Sequence, residues 1–451
     1  MEVLDKIIDP LNFNSDLIFL SDLTFLKDNK RKLSFKEFKS FALHASTQLR
    51  SLDVTQNDLI LLDIKDPFYF AAYTFACLHL KLKPAFLNSY FKKNQIDDVL
   101  KDNIYSAFIT DQSHPELKTM FINSEAPFQF EEGVLNIDID SELIFFTSGS
   151  IQSKACILTL KNFFFSALGS AENIPFTEKD SWGLCLPLFH VGGFSILIRA
   201  VLASGSVSLI DSSKSLIEQI DDLKISHISL VSTQFLKFLE QYKNTLHLKC
   251  ILLGGSAIPE TALLKAIELG LPIYKSYGMT EMASQICTSK QLKSKDQMAL
   301  SGYLLNYREL KISEKQIYVK GPCLFKGYFK NNQLVQATDT EGWFFTKDFG
   351  EMDNEQIHVH GRSDRIFQSA GENISPELIE QELLKVPGVL RAYVCPERDE
   401  IYGYRAIAYI EKREGLENES IYTQLETKLS GLYRPKALRP WGESPKISWK
   451  Q

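Results

Sequence analysis

The chain has 451 residues, of which 44% are hydrophobic and 24% are charged. This length exceeds what one hydrophobic core usually holds, and the composition excludes a mainly disordered or fibrous protein. A formal net charge of −6, from 50 basic and 56 acidic residues, gives no overall attraction to nucleic acid or to an anionic membrane. We therefore expect two or more globular domains and no nucleic-acid partner.

The N-terminus and the cysteines favour a cytoplasmic protein. MEVLDKIIDPLNF carries acidic residues where a signal peptide has basic ones. The most apolar stretch, FYFAAYTFACLHLKLKPAF, is interrupted by His79, Lys81 and Lys83, which favours a buried helix over a membrane span. Seven scattered cysteines match neither a zinc site nor a disulfide framework. We expect no membrane insertion, and a homo-oligomer is left open.

Short apolar strands alternate with helix-length segments through the first two-thirds of the chain. DLILLDI precedes DPFYFAAYTFACLHL, ISHISLVS precedes TQFLKFLEQY, and LKCILLGG precedes PETALLKAIELG. This alternation predicts stacked α/β units with largely parallel sheets. Ligands of such sheets bind at the carboxyl ends of the strands.

The pattern changes after about residue 301. ELKISEKQIYVKG and EQIHVHGR indicate short hairpin strands, and the segment from GRSDRIF onward alternates helices with strands. The predicted class is α/β: a large N-terminal domain, 1–361, of stacked α/β sheets with a small β subdomain. A small α+β C-terminal domain, 362–451, follows it.

One hydroxyl-rich segment, FFTSGSIQSKAC, has the composition of an anion-binding loop. Thr147, Ser148 and Ser150 offer hydroxyl donors, Gly149 allows close backbone approach, and Lys154 adds a positive charge. A plain turn between two strands explains the same residues, so this segment alone decides nothing.

Two further segments end in residues that suit a nucleotide. ILLGGSAIPE closes a strand with Gly254, Gly255 and Ser256, against which a flat ligand can lie. IYKSYGMTEMAS offers the ring of Tyr277 and the carboxylate of Glu281, a hard ligand suited to Mg²⁺ held mainly by nucleotide phosphates. The alternatives are common turn chemistry for the glycines and a solvated helix-start position for the glutamate.

Four charged residues complete the set. Asp348 follows an aromatic strand and can accept two ribose hydroxyls, or it belongs to an ordinary turn. Arg362 and Asp364 lie in GRSDR, at the predicted domain boundary. Lys446 stands near the C-terminus, where a lone lysine is usually a solvated charge.

In this order and spacing, the motifs resemble the acyl-adenylate-forming superfamily of acyl-CoA synthetases, adenylation domains and luciferases. The series comprises TSGS with Lys154, PLFH, GGSAIP, YGMTE, TKD, GRSDR with GENISPELIE, and a late Lys446. The resemblance implies a luciferase-like fold with a mobile C-terminal lid that turns on Asp364. It also implies that a carboxylic acid is joined to CoA at the expense of ATP, with Mg²⁺.

The resemblance also assigns roles to residues. Lys446, Thr280, Glu281 and His190 would be catalytic, with Glu281 holding the metal ion. Nucleotide contacts would come from Thr147, Ser148, Gly149, Ser150, Lys154, Gly254, Gly255, Ser256, Ser276, Tyr277, Gly278, Met279, Asp348 and Arg362.

Within the superfamily, FHVGGFSILIRA, YGMTEMASQIC and KISWKQ resemble the o-succinylbenzoate-CoA ligases of menaquinone synthesis. In that group an Arg at the spacing of His190 to Arg199 is associated with the second carboxylate of the substrate, and Gly192 and Ser284 would also contact the acid. Arg199 lies in an apolar helix, where a guanidinium needs a partner. A surface position or an internal acid is the alternative.

Two departures from the superfamily pattern keep other functions open. Ile151, Gln152 and Ser153 precede Lys154 in a loop one residue shorter than usual, which should weaken triphosphate binding, and Lys347 stands where Gly is usual. The alternatives are a CoA ligase for another aryl or short acyl acid, a carrier-protein-loading adenylation enzyme, and a degenerate nucleotide-binding relative.

Overall fold

The fold is known from a computed structural model, which describes residues 19–89, 91, 93–111, 119–147, 154–243, 247–429 and 431–445. The helices within these residues, α1 to α10, are Phe35–Arg50, Pro67–His79, Lys93–Asp102, Leu160–Ala171, Val191–Ala203, Leu216–Asp222, Ser232–Gln241, Glu260–Glu268, Pro376–Leu384 and Asn418–Glu426. The strands β1 to β13 are Thr24–Lys27, Lys32–Ser34, Leu59–Asp63, Lys83–Phe86, Ala107–Thr110, Thr119–Phe121, Glu142–Phe146, Ala155–Thr159, Ser181–Leu184, Ser206–Leu209, His227–Leu230, Cys250–Leu253 and Ile273–Met279. The strands β14 to β26 are Ser284–Thr288, Gly302–Leu304, Glu309–Ser313, Gln316–Lys320, Gly327–Lys330, Gln333–Val335, Phe344–Asp353, Gln356–Arg362, Phe367–Ser369, Glu372–Ile374, Val389–Asp399, Gly403–Lys412 and Ala437–Pro440.

Two large sheets carry the first 362 residues. The first has the strand order β16-β17-β20-β21-β15-β14-β13-β12-β11-β9-β10-β1-β2, and the second has β19-β18-β8-β7-β4-β3-β5-β6. The run from β13 through β12, β11, β9 and β10 to β1 is parallel, as are the pairs among β3 to β7. The predicted α/β class is confirmed. The hairpins expected after residue 301 are present, and their strands continue these two sheets in antiparallel fashion.

Capping residues mark the starts of α1 and α2. Ser34 and Glu37 form a reciprocal capping box at the start of α1, each satisfying a backbone N–H. Asp66 accepts hydrogen bonds from the first N–H groups of α2, whose first residue is Pro67. These capping residues therefore help to fix where α1 and α2 begin.

Aromatic packing fixes the position of α5, which carries Arg199. Phe194 on this helix contacts Phe163 of α4 with ring centroids 4.9 Å apart, and Phe145 of β7 at 5.5 Å. All three rings are almost fully buried. Burying such a side chain stabilises the fold by roughly 1.5 to 3 kcal/mol, so α5 is held against the second sheet.

The C-terminal segment has a hydrophobic core of its own, whose buried members run from Phe367 to Leu429. It contains α9, α10, the pair β22-β23 and the sheet β24-β25-β26. The helices and strands that the sequence predicted to alternate in this segment are present, and its second helix begins at Asn418. Strand β26 was not predicted; it pairs in parallel with β25 in a stretch that reads as a Pro- and Lys-rich tail.

None of the helices in the described residues is long and apolar enough to cross a membrane. The apolar stretch that contains α2 is instead packed inside the protein, where residues Phe68 to Leu78 are all buried.

Candidate active site

The carboxyl ends of β12 and β13 form one edge of the site. These strands are parallel, with Leu253 opposite Lys275, so Gly254 lies beside Ser276. Gly255 has φ +79°, a conformation that favours glycine, and Gly255 and Ser256 are exposed. The segment is thus an open backbone surface at a strand end, which is where the sequence predicted a ligand.

A tight turn after β13 requires the glycine of YGMTE. A Cβ atom on Gly278 would lie 1.8 Å from the carbonyl oxygen of Ser284, so no other residue fits. The chain between them forms a short 3₁₀ helix, Thr280–Met282, and returns as β14 through Ala283, which has φ +48°. This turn directs Glu281 into the protein.

Glu281 is buried, with 9% of its surface exposed, so the alternative of a solvated glutamate is wrong. Its Oε1 accepts a hydrogen bond of 2.9 Å from the hydroxyl of Tyr328. The ammonium of Lys154 lies 4.7 Å from the centre of the same tyrosine ring. Tyr328 therefore brings together the lysine after the hydroxyl-rich loop and the expected metal ligand.

The donor set around Glu281 suits a cation that is bound mostly by something other than protein. No group of three or more His, Cys, Asp or Glu side chains capable of holding a metal occurs in the described part of the chain. Mg²⁺ commonly takes one or two carboxylates together with nucleotide phosphates and waters. A single buried carboxylate beside a lysine fits that arrangement.

The two ends of the hydroxyl-rich loop are joined by two hydrogen bonds. The N–H of Thr147 donates to the carbonyl of Lys154 over 2.9 Å, and the N–H of Lys154 donates to the Thr147 hydroxyl over 3.2 Å. Ser148, Gly149 and Ser150 lie outside the described residues, as do the three residues that depart from the family pattern.

Asp348 lies at the centre of a second polar group. It is 6% exposed, accepts a 2.5 Å hydrogen bond from the hydroxyl of Tyr277, and has Arg362 Nη1 at 3.4 Å. Burial raises the pKa of Asp348 to about 6, and the contacts with Tyr277 and Arg362 only partly oppose this rise. The arrangement leaves a carboxylate that can accept hydroxyl groups at neutral pH.

The expected hinge residue is linked to that group. Asp364 lies in a 3₁₀ turn, Ser363–Arg365, and accepts two 2.9 Å hydrogen bonds from Arg362. Lys347 Nζ lies 3.8 Å from Asp364. Lys347 also has φ +66°, which explains physically why the superfamily usually has Gly at this position.

Arg199 lies inside α5 with only 6% of its surface exposed. Its Nη2 donates to Gln285 Oε1 over 2.5 Å, and its guanidinium carbon lies 4.8 Å from the centre of the Trp182 ring. Its Nε has no hydrogen-bond partner, and no acidic side chain of the described residues forms an ion pair with it. Burial lowers the pKa of Arg199 to about 10, so the group keeps its charge at neutral pH. The alternative of a surface position is wrong, and no internal acid among the described residues pairs with Arg199.

The remaining acid-side candidates lie at the starts of α5 and β14. His190 immediately precedes α5, and its ring lies 4.7 Å from that of Phe189. Gly192 is in the first turn of the helix, whereas Ser284 opens β14 opposite Met279. Lys446 lies outside the described residues.

The comparison with protein families shows which family the chain belongs to. The family model "AMP-binding enzyme" matches residues 18–329, which is more than half of the chain. The chain belongs to this family. The match includes the loop, the GGS strand end, YGMTE and Tyr328, which together form most of the site.

Relatives of known activity resemble this AMP-binding enzyme along nearly its whole length. The 2-succinylbenzoate–CoA ligase of Bacillus cytotoxicus is 29% identical, with 96% of each chain covered. The o-succinylbenzoate coenzyme A synthetase of Bacillus subtilis, in complex with its acyl-adenylate intermediate, is 27% identical with a TM-score of 0.83, over 93% of this chain and 92% of that one. The same enzyme with ATP and magnesium has a TM-score of 0.84 at 27% identity, covering 93% of both.

Sequence reasoning did not identify three residues of the candidate site. Tyr328 contacts Glu281 from the other sheet, whereas Gln285 and Trp182 hold Arg199. None of the three has a local sequence signal, because each matters only through a partner far away in the chain. Gln285 was the easiest of the three to find from the sequence, since it directly follows the YGMTEMAS segment.

Proposed function

We propose that this AMP-binding enzyme is an ATP-dependent o-succinylbenzoate–CoA ligase of menaquinone synthesis, acting in the cytoplasm through an acyl-adenylate. The observation that carries the choice of acid is Arg199. It is a buried, charged guanidinium with an unpartnered Nε, nine residues after His190, on a helix linked to β14 by the hydrogen bond from Arg199 to Gln285. Such a group requires an anion, and a substrate with a second carboxylate supplies one.

In the first half-reaction the substrate carboxylate attacks the α-phosphorus of ATP, and pyrophosphate leaves. Asp348 would accept the ribose hydroxyls with Arg362 beside it, and the open backbone at Gly254 to Ser256 would face the adenine next to Tyr277. Mg²⁺, held by Glu281, would neutralise phosphate charge. Lys154 would lie at the phosphates, and Lys446 would contact both the carboxylate and the α-phosphate, where negative charge accumulates.

In the second half-reaction the thiol of CoA, as its thiolate, attacks the acyl carbonyl and AMP leaves with the phosphate oxygen. Residues 362–451 would act as the mobile lid and turn at Asp364 between the two steps. The separate core of this segment and the short turn Ser363–Arg365 support such a hinge. His190, Gly192 and Ser284 would line the entry to the acyl pocket.

The test is a panel of carboxylic acids assayed for AMP release that depends on both ATP and CoA. O-succinylbenzoate should be the best substrate, and its thioester should appear by mass spectrometry. Activity only with an acyl-carrier protein would support the loading enzyme, and preference for a monocarboxylic acid would support another CoA ligase. Absence of ATP–pyrophosphate exchange with every acid would support the degenerate relative.

A further inference from the structure

We propose that Gln285 is a positioning residue that sets the preference for a dicarboxylate, because its neutral amide orients Arg199 without cancelling the charge. The inference rests on the proposed function. Gln285 is 2% exposed, and its Oε1 accepts the Arg199 Nη2 hydrogen. Of the polar contacts that Arg199 makes with described side chains, this is the one that fixes the guanidinium plane.

The amide of Gln285 is itself held in one orientation. Its Nε2 donates to the hydroxyl of Thr288 over 2.7 Å, so Oε1 is the atom presented to Arg199. Its backbone carbonyl accepts from Arg308 Nε over 2.9 Å, and the residue pairs with Gly278 across the β13–β14 hairpin. Gln285 therefore connects the strand of the nucleotide site with the arginine of the acid site.

The chemical type of residue 285 decides the charge of the pocket. A glutamate of the same length would form a buried ion pair with Arg199 and supply the anion internally. The glutamine satisfies one donor but leaves a full positive charge and a free Nε. Trp182 supports that charge through its ring face and adds no negative charge. The pocket thus stays electropositive until an acid enters.

The test is the ratio of kcat/KM for o-succinylbenzoate to that for 4-oxo-4-phenylbutanoate, which is the same acid without the ring carboxylate. Gln285→Glu should lower this ratio by about 10- to 100-fold, which is the range expected for loss of one charge-assisted contact. Turnover of the monocarboxylate should fall by less than that of o-succinylbenzoate, because this acid has no ring carboxylate for Arg199 to bind. The melting temperature should be retained or raised by the new ion pair.

Two further variants separate charge from shape. Gln285→Met keeps the length and leaves Arg199 charged, so the dicarboxylate should remain preferred while its KM rises. Gln219→Glu is the matched control, since Gln219 is an equally buried glutamine whose amide contacts the backbone at Asp211 and Ser215. It should alter stability and leave the substrate ratio unchanged.

The outcomes distinguish this inference from the proposed function. A wild-type enzyme that shows no preference for the dicarboxylate would overturn the proposed function itself. A wild-type preference that survives in Gln285→Glu, or an equal loss with both acids, would overturn only the role of Gln285. If Gln285→Glu does not fold, the test rests on the kcat/KM ratio of Gln285→Met. A ratio that collapses in this variant would show that shape rather than charge sets the preference, and would overturn the role of Gln285.

Discussion

The hydroxyl of Tyr277 donates a 2.5 Å hydrogen bond to Asp348, across 71 residues of sequence and inside the first sheet. It joins the strand that carries YGMTE to the strand that carries TKD, two motifs that the sequence connects only by resemblance. Because Asp348 is buried, this bond and the nearby Arg362 are the contacts that keep its carboxylate charged at neutral pH.

Nucleotide binding should therefore weaken below about pH 6, the pKa of Asp348, because the protonated acid no longer accepts two hydroxyls. Adenosine as a competitive inhibitor measures this without titrating phosphates. Tyr277→Phe removes a contact that lowers this pKa, so the midpoint should move to higher pH. Asp348→Asn should bind weakly without that midpoint, and an unchanged profile in this variant would refute the assignment.

The same raised pKa has the opposite effect on stability. A carboxyl with a folded pKa above its unfolded value stabilises the fold fully below the unfolded pKa, near 4, and this contribution disappears as the pH rises through about 6. Asp348→Asn should thus raise the melting temperature at pH 7.5 and change it little at pH 4. Equal shifts at both pH values would contradict this linkage.

Tyr328 should matter for Mg-ATP although no motif contains it. Tyr328→Phe removes the hydrogen bond to Glu281, and a bond to a charged group is worth roughly 1.5 to 3 kcal/mol, or about 10- to 150-fold in kcat/KM. Tyr328→Leu also removes the ring beneath Lys154 and should lose more. ATP–pyrophosphate exchange at varied Mg-ATP measures both effects. Tyr318→Phe, which removes a hydroxyl from β17 in the first sheet, is the control, and a loss as large in this variant would argue against a local role of Tyr328.

Arg199→Leu should reduce kcat/KM for o-succinylbenzoate by about 10- to 150-fold through loss of a charge-assisted contact worth roughly 1.5 to 3 kcal/mol. An aryl monocarboxylate should be used as well as before or better. Arg199→Lys should restore only part of the activity, since an ammonium cannot make a two-pronged contact. Because no acid of the described residues pairs with Arg199, the leucine variant should keep its melting temperature. A lowered melting temperature with uniform loss for all acids would exclude the carboxylate clamp.

Lys347 should carry backbone strain that glycine would relieve. Its φ of +66° costs a residue with a Cβ atom roughly 1 to 2 kcal/mol. Its exposed ion pair with Asp364 stabilises the fold by at most about 1 kcal/mol. Lys347→Gly and Lys347→Ala both lose that contact and differ in strain, so the glycine variant should melt at the higher temperature. The reverse order would show that the backbone there is not strained.

Lys446→Ala should slow acyl-adenylate formation by about a hundredfold or more, because a positioned charge at a developing anion is typically worth several kcal/mol. Thioester formation from supplied acyl-adenylate should change far less. Lys450→Ala, four residues later in the same tail, is the matched control. Equal losses in both half-reactions would show that Lys446 has another role.

The sequence by itself determined the α/β class and most helix and strand positions, because hydrophobic periodicity and capping residues are local properties of the chain. Its ordered motifs also predicted a set of nucleotide-site residues. It could not assign the environment of any single charge. Glu281 was equally compatible with solvent until the Gly278 turn directed it inward against Tyr328. Arg199 likewise had three interpretations until Trp182 and Gln285 were placed around it without an acid. Burial, pKa and partner choice depend on residues that are distant in sequence and adjacent in space, so only the tertiary structure decided them.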